Sequence, residues 1–223
     1  LEVRVGWRGV FFGEDNIFSV CNIMITPQKK HIYRNKNDKY ITPYSITQQL
    51  LDNINIDKNA TILEPCSSVE GCIVKVLREN GYNPVENVYT EDNPNTDLFN
   101  FDTNKKYDYI ITNTPYGKSI IPFVKQMKKI ASKQIICLYP ISTLHTTSRY
   151  KHLWNDEEYK LKSVLMFVRP PFLKDTIQDD GKYNTGMNAY GWFIWENGYK
   201  GETTFKIIDN TSFVNKKKSV CNI

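Results

Sequence analysis

A chain of 223 residues with 40% hydrophobic and 24% charged residues has the make-up of a soluble globular protein, long enough for one substantial core and a small appendage. No apolar run approaches the roughly 18 residues that a membrane span needs, and acids beside the short apolar stretch at the start argue against a secretory leader. The net charge of +5, from 29 basic and 24 acidic residues, suits an anionic partner without requiring one.

Five cysteines, at 21, 66, 72, 137 and 221, are odd in number and include no C-x-x-C pair. The pattern favours reduced thiols in a cytoplasmic setting over a disulfide framework or a zinc site, with Cys137 as a core residue. His31, His145 and His152 have no ligand spacing to cysteine or acid, so no metal is expected.

Taken in order, residues 1–39 read as an N-terminal extension without a clear element pattern, ending in a polar, basic loop over 27–39. Met24 is a candidate natural start. The pentapeptide Ser-Val-Cys-Asn-Ile occurs at 19–23 and again at 219–223, and nothing in the sequence explains it. Regular organisation begins at Tyr40. Thr42 as N-cap and Pro43 at the first position open a helix with Ile46, Leu50 and Leu51 as its apolar stripe, to about Asn53.

Thr61 to Pro65 reads as a short apolar strand, followed by a small-residue turn, Cys66 to Gly71. A helix with Ile73, Val74, Val76 and Leu77 inside then ends at Asn80-Gly81. Residues 84–90 form a second strand, Asp97-Leu98-Phe99 a short third, and Tyr107 to Ile111 a fourth. That fourth strand runs into Asn113-Thr114-Pro115-Tyr116, a polar, proline-stiffened turn. A helix over Ile121 to Ala131, an apolar fifth strand over 133–139, a helix over 145–154 and a sixth strand over Leu161 to Val168 follow. After a polar loop, 172–188, come two last strands, Tyr190 to Trp195 and Thr204 to Ile208. Alternating strands and helices followed by strands alone define a doubly wound α/β fold, mostly parallel, with an antiparallel strand at the edge. Residues 40–210 make one catalytic domain with no separate target-recognition domain, and 211–223 a basic tail.

Three strand ends carry polar groups: Glu64, Glu91 and Asn113. Carboxyl ends of parallel strands share one edge of the sheet, so these side chains are expected to converge. An acid ending the second strand can bond ribose hydroxyls, and small residues after the first let a ligand reach the backbone. Gly71 is the one glycine in that turn, so the G-x-G-x-x-G cradle for a pyrophosphate is missing. A nucleoside cofactor without phosphates, S-adenosylmethionine rather than NAD, fits this set.

These residues resemble the DNA adenine-N6 methyltransferases of phages and restriction systems, in the order where the cofactor half precedes the catalytic half. Tyr40-Ile41-Thr42-Pro43 resembles the family's cofactor-contacting Y-x-T-P. Ile62-Leu63-Glu64-Pro65-Cys66 resembles its L-E-P-S/C-A-G-x-G, whose small residues, here including Ser67, hold the methionine moiety. Glu91 or Asp92 falls at the ribose-binding acid, with Glu86 a weaker candidate. Asp97-Leu98-Phe99 resembles D-F-L, whose aspartate bonds the cofactor's adenine. Asn113-Thr114-Pro115-Tyr116 resembles the catalytic N/D-P-P-Y/F. The resemblance covers about Tyr40 to Trp195 and implies a Rossmann-like class I methyltransferase fold.

It further implies methyl transfer to the N6 amine of an adenine flipped from double-stranded DNA. Asn113 and the Thr114 carbonyl would accept from the amine, and Tyr116 would stack on the base. Phe172 is a candidate second contact to that base; a proline-stiffened turn at 169–172 explains it equally. With no recognition domain, sequence reading would fall to loops at 143–152 and 172–188 or to a specificity partner. Two departures stand out: Thr114 replaces the first proline, and the turn after Glu64 has Ser67, Ser68 and Glu70 where glycines are expected. The alternatives are N-methylation of RNA or protein glutamine, and a catalytically silent nucleic-acid-binding protein. Arg149 could touch phosphate or be an ordinary solvated helix charge. The aromatic run at 190–195 reads best as a strand packing on the sheet.

Overall fold

Seven strands hydrogen-bond into one sheet: β1 (Ile62–Ser67), β2 (Val85–Val88), β3 (Tyr107–Thr112), β4 (Ala131–Pro140), β5 (Tyr159–Val168), β6 (Tyr190–Asn197) and β7 (Thr204–Asp209). Their order is β2-β1-β3-β4-β6-β5-β7. The computed structural model describes residues 42–67, 72–90, 92–168 and 188–210, all within the unit Asn35–Ile223. Every neighbouring pair is parallel except the two made by β6, which is antiparallel to both β4 and β5. The expected doubly wound, mostly parallel sheet is thus present. Its reversed strand is flanked on both sides, and β7, parallel to β5, takes the outer edge.

Strand residues alternate between two buried faces, as the period of two requires. Ile62, Tyr109, Ile111, Ile136, Leu138, Trp192 and Ile194 face the helices α1 (Tyr44–Asn53) and α2 (Cys72–Glu79), whose Ile46, Leu50, Ile73 and Leu77 complete that core. Leu63, Ile110, Ile135, Cys137, Tyr139, Phe193 and Trp195 face α3 (Ile120–Ile130), through Ile120, Val124, Met127 and Ile130. Each such aliphatic side chain, fully withdrawn from water, contributes about 1.5–3 kcal/mol. Trp192 satisfies its indole N–H on the Ile46 carbonyl of α1, 3.0 Å away, which fixes that helix on the sheet.

Helix α2 ends as its Asn80-Gly81 signal predicts. Gly81 has φ 79°, its N–H bonds the Arg78 carbonyl, and Tyr82 N–H bonds that of Leu77. This pair of bonds satisfies carbonyls that the helix leaves open.

Four local expectations are corrected. Helix α1 starts at Tyr44, with Pro43 rather than Thr42 in the N-cap position and no side-chain cap. Asp97-Leu98-Phe99 is not a strand: the Asp97 carboxylate accepts from Phe99 N–H at 3.0 Å and winds Leu98–Asn100 into a 3-10 turn. A short aspartate side chain offers its own backbone this alternative to a ladder. The 145–154 helix is broken into a 3-10 turn (Ile141–His145), a short α4 (Thr147–Arg149) and a π-helical turn (Tyr150–Trp154). The thiol expectation holds for Cys66 and Cys137, which are free, and fails at Cys72, which is disulfide-bonded.

Candidate active site

The strand order reverses between β1 and β3: β2 lies on one side of β1 and β3 on the other. Loops leaving the carboxyl ends diverge at such a point and open a crevice. A cleft of about 290 Å³ lies there, lined by Glu64, Cys66 and Ser67 of β1, Cys72 and Ile73 of α2, Thr42 and Asn113.

Strand β1 is irregular just past Glu64. Glu64 pairs with Glu86 and Ser67 with Val88, so three residues of β1 face two of β2. Such a bulge re-aims side chains at a sheet's functional edge. The Glu64 carboxyl is 1% exposed. Its Oε1 accepts from the Thr112 hydroxyl at 2.5 Å and from Cys66 N–H at 2.9 Å. Its Oε2 is buried and has no hydrogen-bond partner among the described residues. Burial pushes this acid up to about 8 against the opposing pull of the Thr112 and Cys66 bonds. Glu64 is therefore mostly neutral at pH 7, with one oxygen left open to a ligand. Burial, reinforced by the charge of Glu64, also raises the Cys66 thiol, which makes it a poor nucleophile.

Asn113 follows β3 directly and is held at both ends of its amide. Nδ2 donates to the Thr42 hydroxyl at 3.1 Å, and Oδ1 accepts from the Tyr116 hydroxyl at 2.8 Å. Thr42 fails to cap α1 because its hydroxyl serves Asn113 instead. Thr114 is buried, and its hydroxyl lies 2.9 Å from that of Tyr139, the penultimate residue of β4. The Tyr116 ring packs 6.1 Å from both Tyr139 and Tyr190. Gly117 closes the loop at φ 74°, a conformation that disfavours any other residue.

Of the sequence-derived candidates, Thr42, Glu64, Cys66, Ser67 and Asn113 meet in the cleft, with Thr114, Pro115 and Tyr116 on the adjoining loop. Pro43 is buried beside Thr42, and Pro65 is buried with its carbonyl accepting from Asn87. Asp97 caps its turn, and Leu98 is a core residue whose carbonyl takes the Gln126 amide. Glu86 is bonded by the Ser67 hydroxyl at 2.7 Å. Tyr40, Glu91 and Phe172 lie outside the described residues. Arg149 is more than a solvated helix charge: its guanidinium donates to the carbonyls of Thr143 and Gly117. Thr112, Tyr139, Cys72 and Ile73 were missed. Thr112 and Tyr139 could have been found by extending the strands to their carboxyl ends, since both are polar-tipped residues there.

No family model matches this sequence, and no characterised protein matches it by sequence. Solved structures do match. A modification subunit assigned to a type I restriction enzyme of Vibrio vulnificus superposes with a TM-score of 0.50 at 13% identity, over 82% of this chain and 50% of that one. A type I restriction-modification assembly gives 0.52 at 12% identity, over 79% and 46%. The methyltransferase subunit of a type I system from Streptococcus thermophilus gives 0.51 at 11% identity, over 78% and 48%. The chain spans about half the length of these structures. Fold and site together define a Rossmann-like class I methyltransferase fold, with its ligand cleft at the β1–β3 switch point.

Proposed function

We propose that the protein transfers a methyl group from S-adenosylmethionine to the N6 amine of an adenine flipped out of double-stranded DNA. The observation that carries this reading is the Asn113 amide, held between Thr42 and Tyr116 at the mouth of a cleft floored by Glu64. The open Oε2 of Glu64 fits a cationic ligand, and the small side chains of Cys66 and Ser67 leave its approach clear. Thr42 lines this cleft, and Tyr40, Pro43, Pro65, Glu91, Asp97 and Leu98 are assigned to the cofactor by resemblance. When bound, S-adenosylmethionine supplies an electrophilic methyl group on a sulfonium.

The protein's own work is positioning. An exocyclic amine is a poor nucleophile because its lone pair conjugates into the ring. An amide oxygen carries two lone pairs, so Asn113 Oδ1 can accept one amine proton while the Thr114 carbonyl accepts the other. Both bonds favour a pyramidal nitrogen with its lone pair free to attack the methyl carbon as the carbon–sulfur bond breaks. The Tyr116 ring offers a face to the flipped base, and Phe172 is assigned to it by resemblance. No metal takes part in this scheme. Residues 40–210 form the catalytic domain, the setting is the cytoplasm of a bacterial or phage-infected cell, and base sequence is selected by loops or a specificity partner.

Incubation with labelled S-adenosylmethionine and pools of DNA, RNA and protein tests the assignment. Label is expected in DNA, as N6-methyladenine, and Asn113→Ala abolishes it while calorimetry still records cofactor binding. Label in RNA or protein alone overturns the substrate. Absence of cofactor binding at millimolar concentration overturns the enzyme.

A further inference from the structure

Between Asp108 and Asp156 the chain carries six lysines and one arginine and no acidic residue. The fold sorts this charge by edge. Asp108 stands near the amino end of β3 and Asp156 just before β5, and there they pair with Lys133 at 3.0 Å and Lys128 at 2.6 Å. Two of the six lysines are thus paired at the amino edge.

Two more stand at the carboxyl edge. Lys118 and Lys151 are exposed and make no ion pair among the described residues. Lys118 follows the Asn113–Tyr116 loop, and Lys151 lies in the turn after α4. Arg149 fastens these segments to each other: Nη2 donates to the Gly117 carbonyl at 3.2 Å and Nη1 to that of Thr143 at 3.3 Å. Lys118 and Lys151 therefore belong to one stapled surface beside Asn113. Tyr150, 57% exposed, stands on it, as do the exposed His145 and His152. Among the described residues, Glu64 of β1 and Asp92 and Asp97 after β2 stand on the other half of this edge. Asn113 sits at the boundary between an acidic half and a basic half.

We propose that the Lys118–Lys151 face docks the phosphate backbone of duplex DNA and so delivers the acceptor base to Asn113. The proposal rests on the reading of DNA as methyl acceptor and adds the surface that holds it. Unpaired cations on a fixed scaffold release counterions from a polyanion, which gives affinity and orientation without sequence information. An acidic half for a cationic cofactor and a basic half for a polyanion also keep the two ligands from competing for one surface.

The test compares two charge reversals of equal size. Lys118→Glu/Lys151→Glu alters the proposed face. Lys105→Glu/Lys200→Glu alters the opposite edge, where Lys105 precedes β3 and Lys200 bonds the Glu157 carbonyl. Affinity for a fluorescein-labelled DNA duplex is measured by anisotropy across a salt series, with calorimetric binding of S-adenosylmethionine as the check on folding. The first pair is expected to lose about tenfold or more in affinity and to reduce the slope of log K against log salt by about two, at unchanged cofactor binding. The second pair is expected to change neither quantity. Should the reversal unfold, Lys118→Gln/Lys151→Gln carries the same expectation for the slope. Equal losses in both pairs, an undiminished first pair, or a wild-type preference for single-stranded RNA or an acidic peptide overturns the proposal. Duplex binding without methyl transfer keeps this face and removes the proposed reaction. Methyl transfer with undiminished affinity in the first pair removes the face alone.

Discussion

The hydroxyl of Thr114 lies 2.9 Å from the phenol oxygen of Tyr139, and both groups are buried. Where the resembling family has a proline that stiffens the loop covalently, this chain ties the same position to the neighbouring strand by a hydrogen bond. Burial holds the Tyr139 phenol well above its ordinary range, so it stays neutral at any working pH.

That substitution of one restraint for another is measurable as coupling. Thr114→Pro removes the threonine hydroxyl and strands a buried phenol, so it is expected to destabilise the protein by about 1–3 kcal/mol in urea unfolding. In a Tyr139→Phe background no phenol is left behind, and the same change is expected to cost less than about 1 kcal/mol. A double-mutant cycle with no coupling between the two positions would show that the contact does nothing for the loop.

Tyr116 has a hydroxyl that bonds Asn113 and, in the proposed reaction, a ring that stacks on the acceptor base. Tyr116→Phe keeps the ring, so a several-fold loss in kcat with little change in the acceptor KM is expected. Tyr116→Ala is expected to raise that KM as well. Steady-state kinetics on a duplex substrate separates the two.

Glu64 makes apo-protein stability fall with pH. Its folded-state value, about 8, lies above the ordinary carboxyl value of 4.5, so the folded protein binds more protons than the unfolded chain between those limits. Its contribution is complete below about pH 4.5, declines as pH rises and levels off above about 8. The total is on the order of a few kcal/mol. Glu64→Gln is expected to remove this slope, so that the variant gains on wild type from pH 5 to 8 in urea titrations.

Cofactor binding runs the other way. A cationic ligand at Oε2 favours the ionised carboxyl, so binding is expected to release a proton below pH 8 and to strengthen as pH approaches that value. Calorimetry in buffers of different ionisation enthalpy reads the proton directly. An absence of proton release at pH 6–7 would place the cation elsewhere.

Gly191 is a packing prediction. A Cβ there would come within 2.7 Å of the Leu165 carbonyl oxygen and 3.0 Å of Ile141 Cδ1. The backbone of β5 cannot yield as a side chain would, so Gly191→Ala is expected to cost about 1–3 kcal/mol. The urea midpoint should drop with an unchanged m-value.

The sequence by itself determined the layers and the place of the chemistry. Apolar runs such as Lys133 to Tyr139 and the stripes of Ile46 and Leu50 or Val124 and Met127 carry their periods in plain view, and burial enforces those periods. Polar residues at the strand ends, Glu64 and Asn113, were legible because parallel strands put their carboxyl ends on one edge. Local competition was not legible. Asp97 took its own backbone into a turn, and Thr42 gave up its cap to hold Asn113, 71 residues away. Pairings across such separations have no signal in spacing. Only the tertiary structure decided that Thr114 is held by Tyr139, that Arg149 staples two loops, and that Lys118 and Lys151 share the edge beside Asn113. Each depends on which loops the sheet order brings side by side.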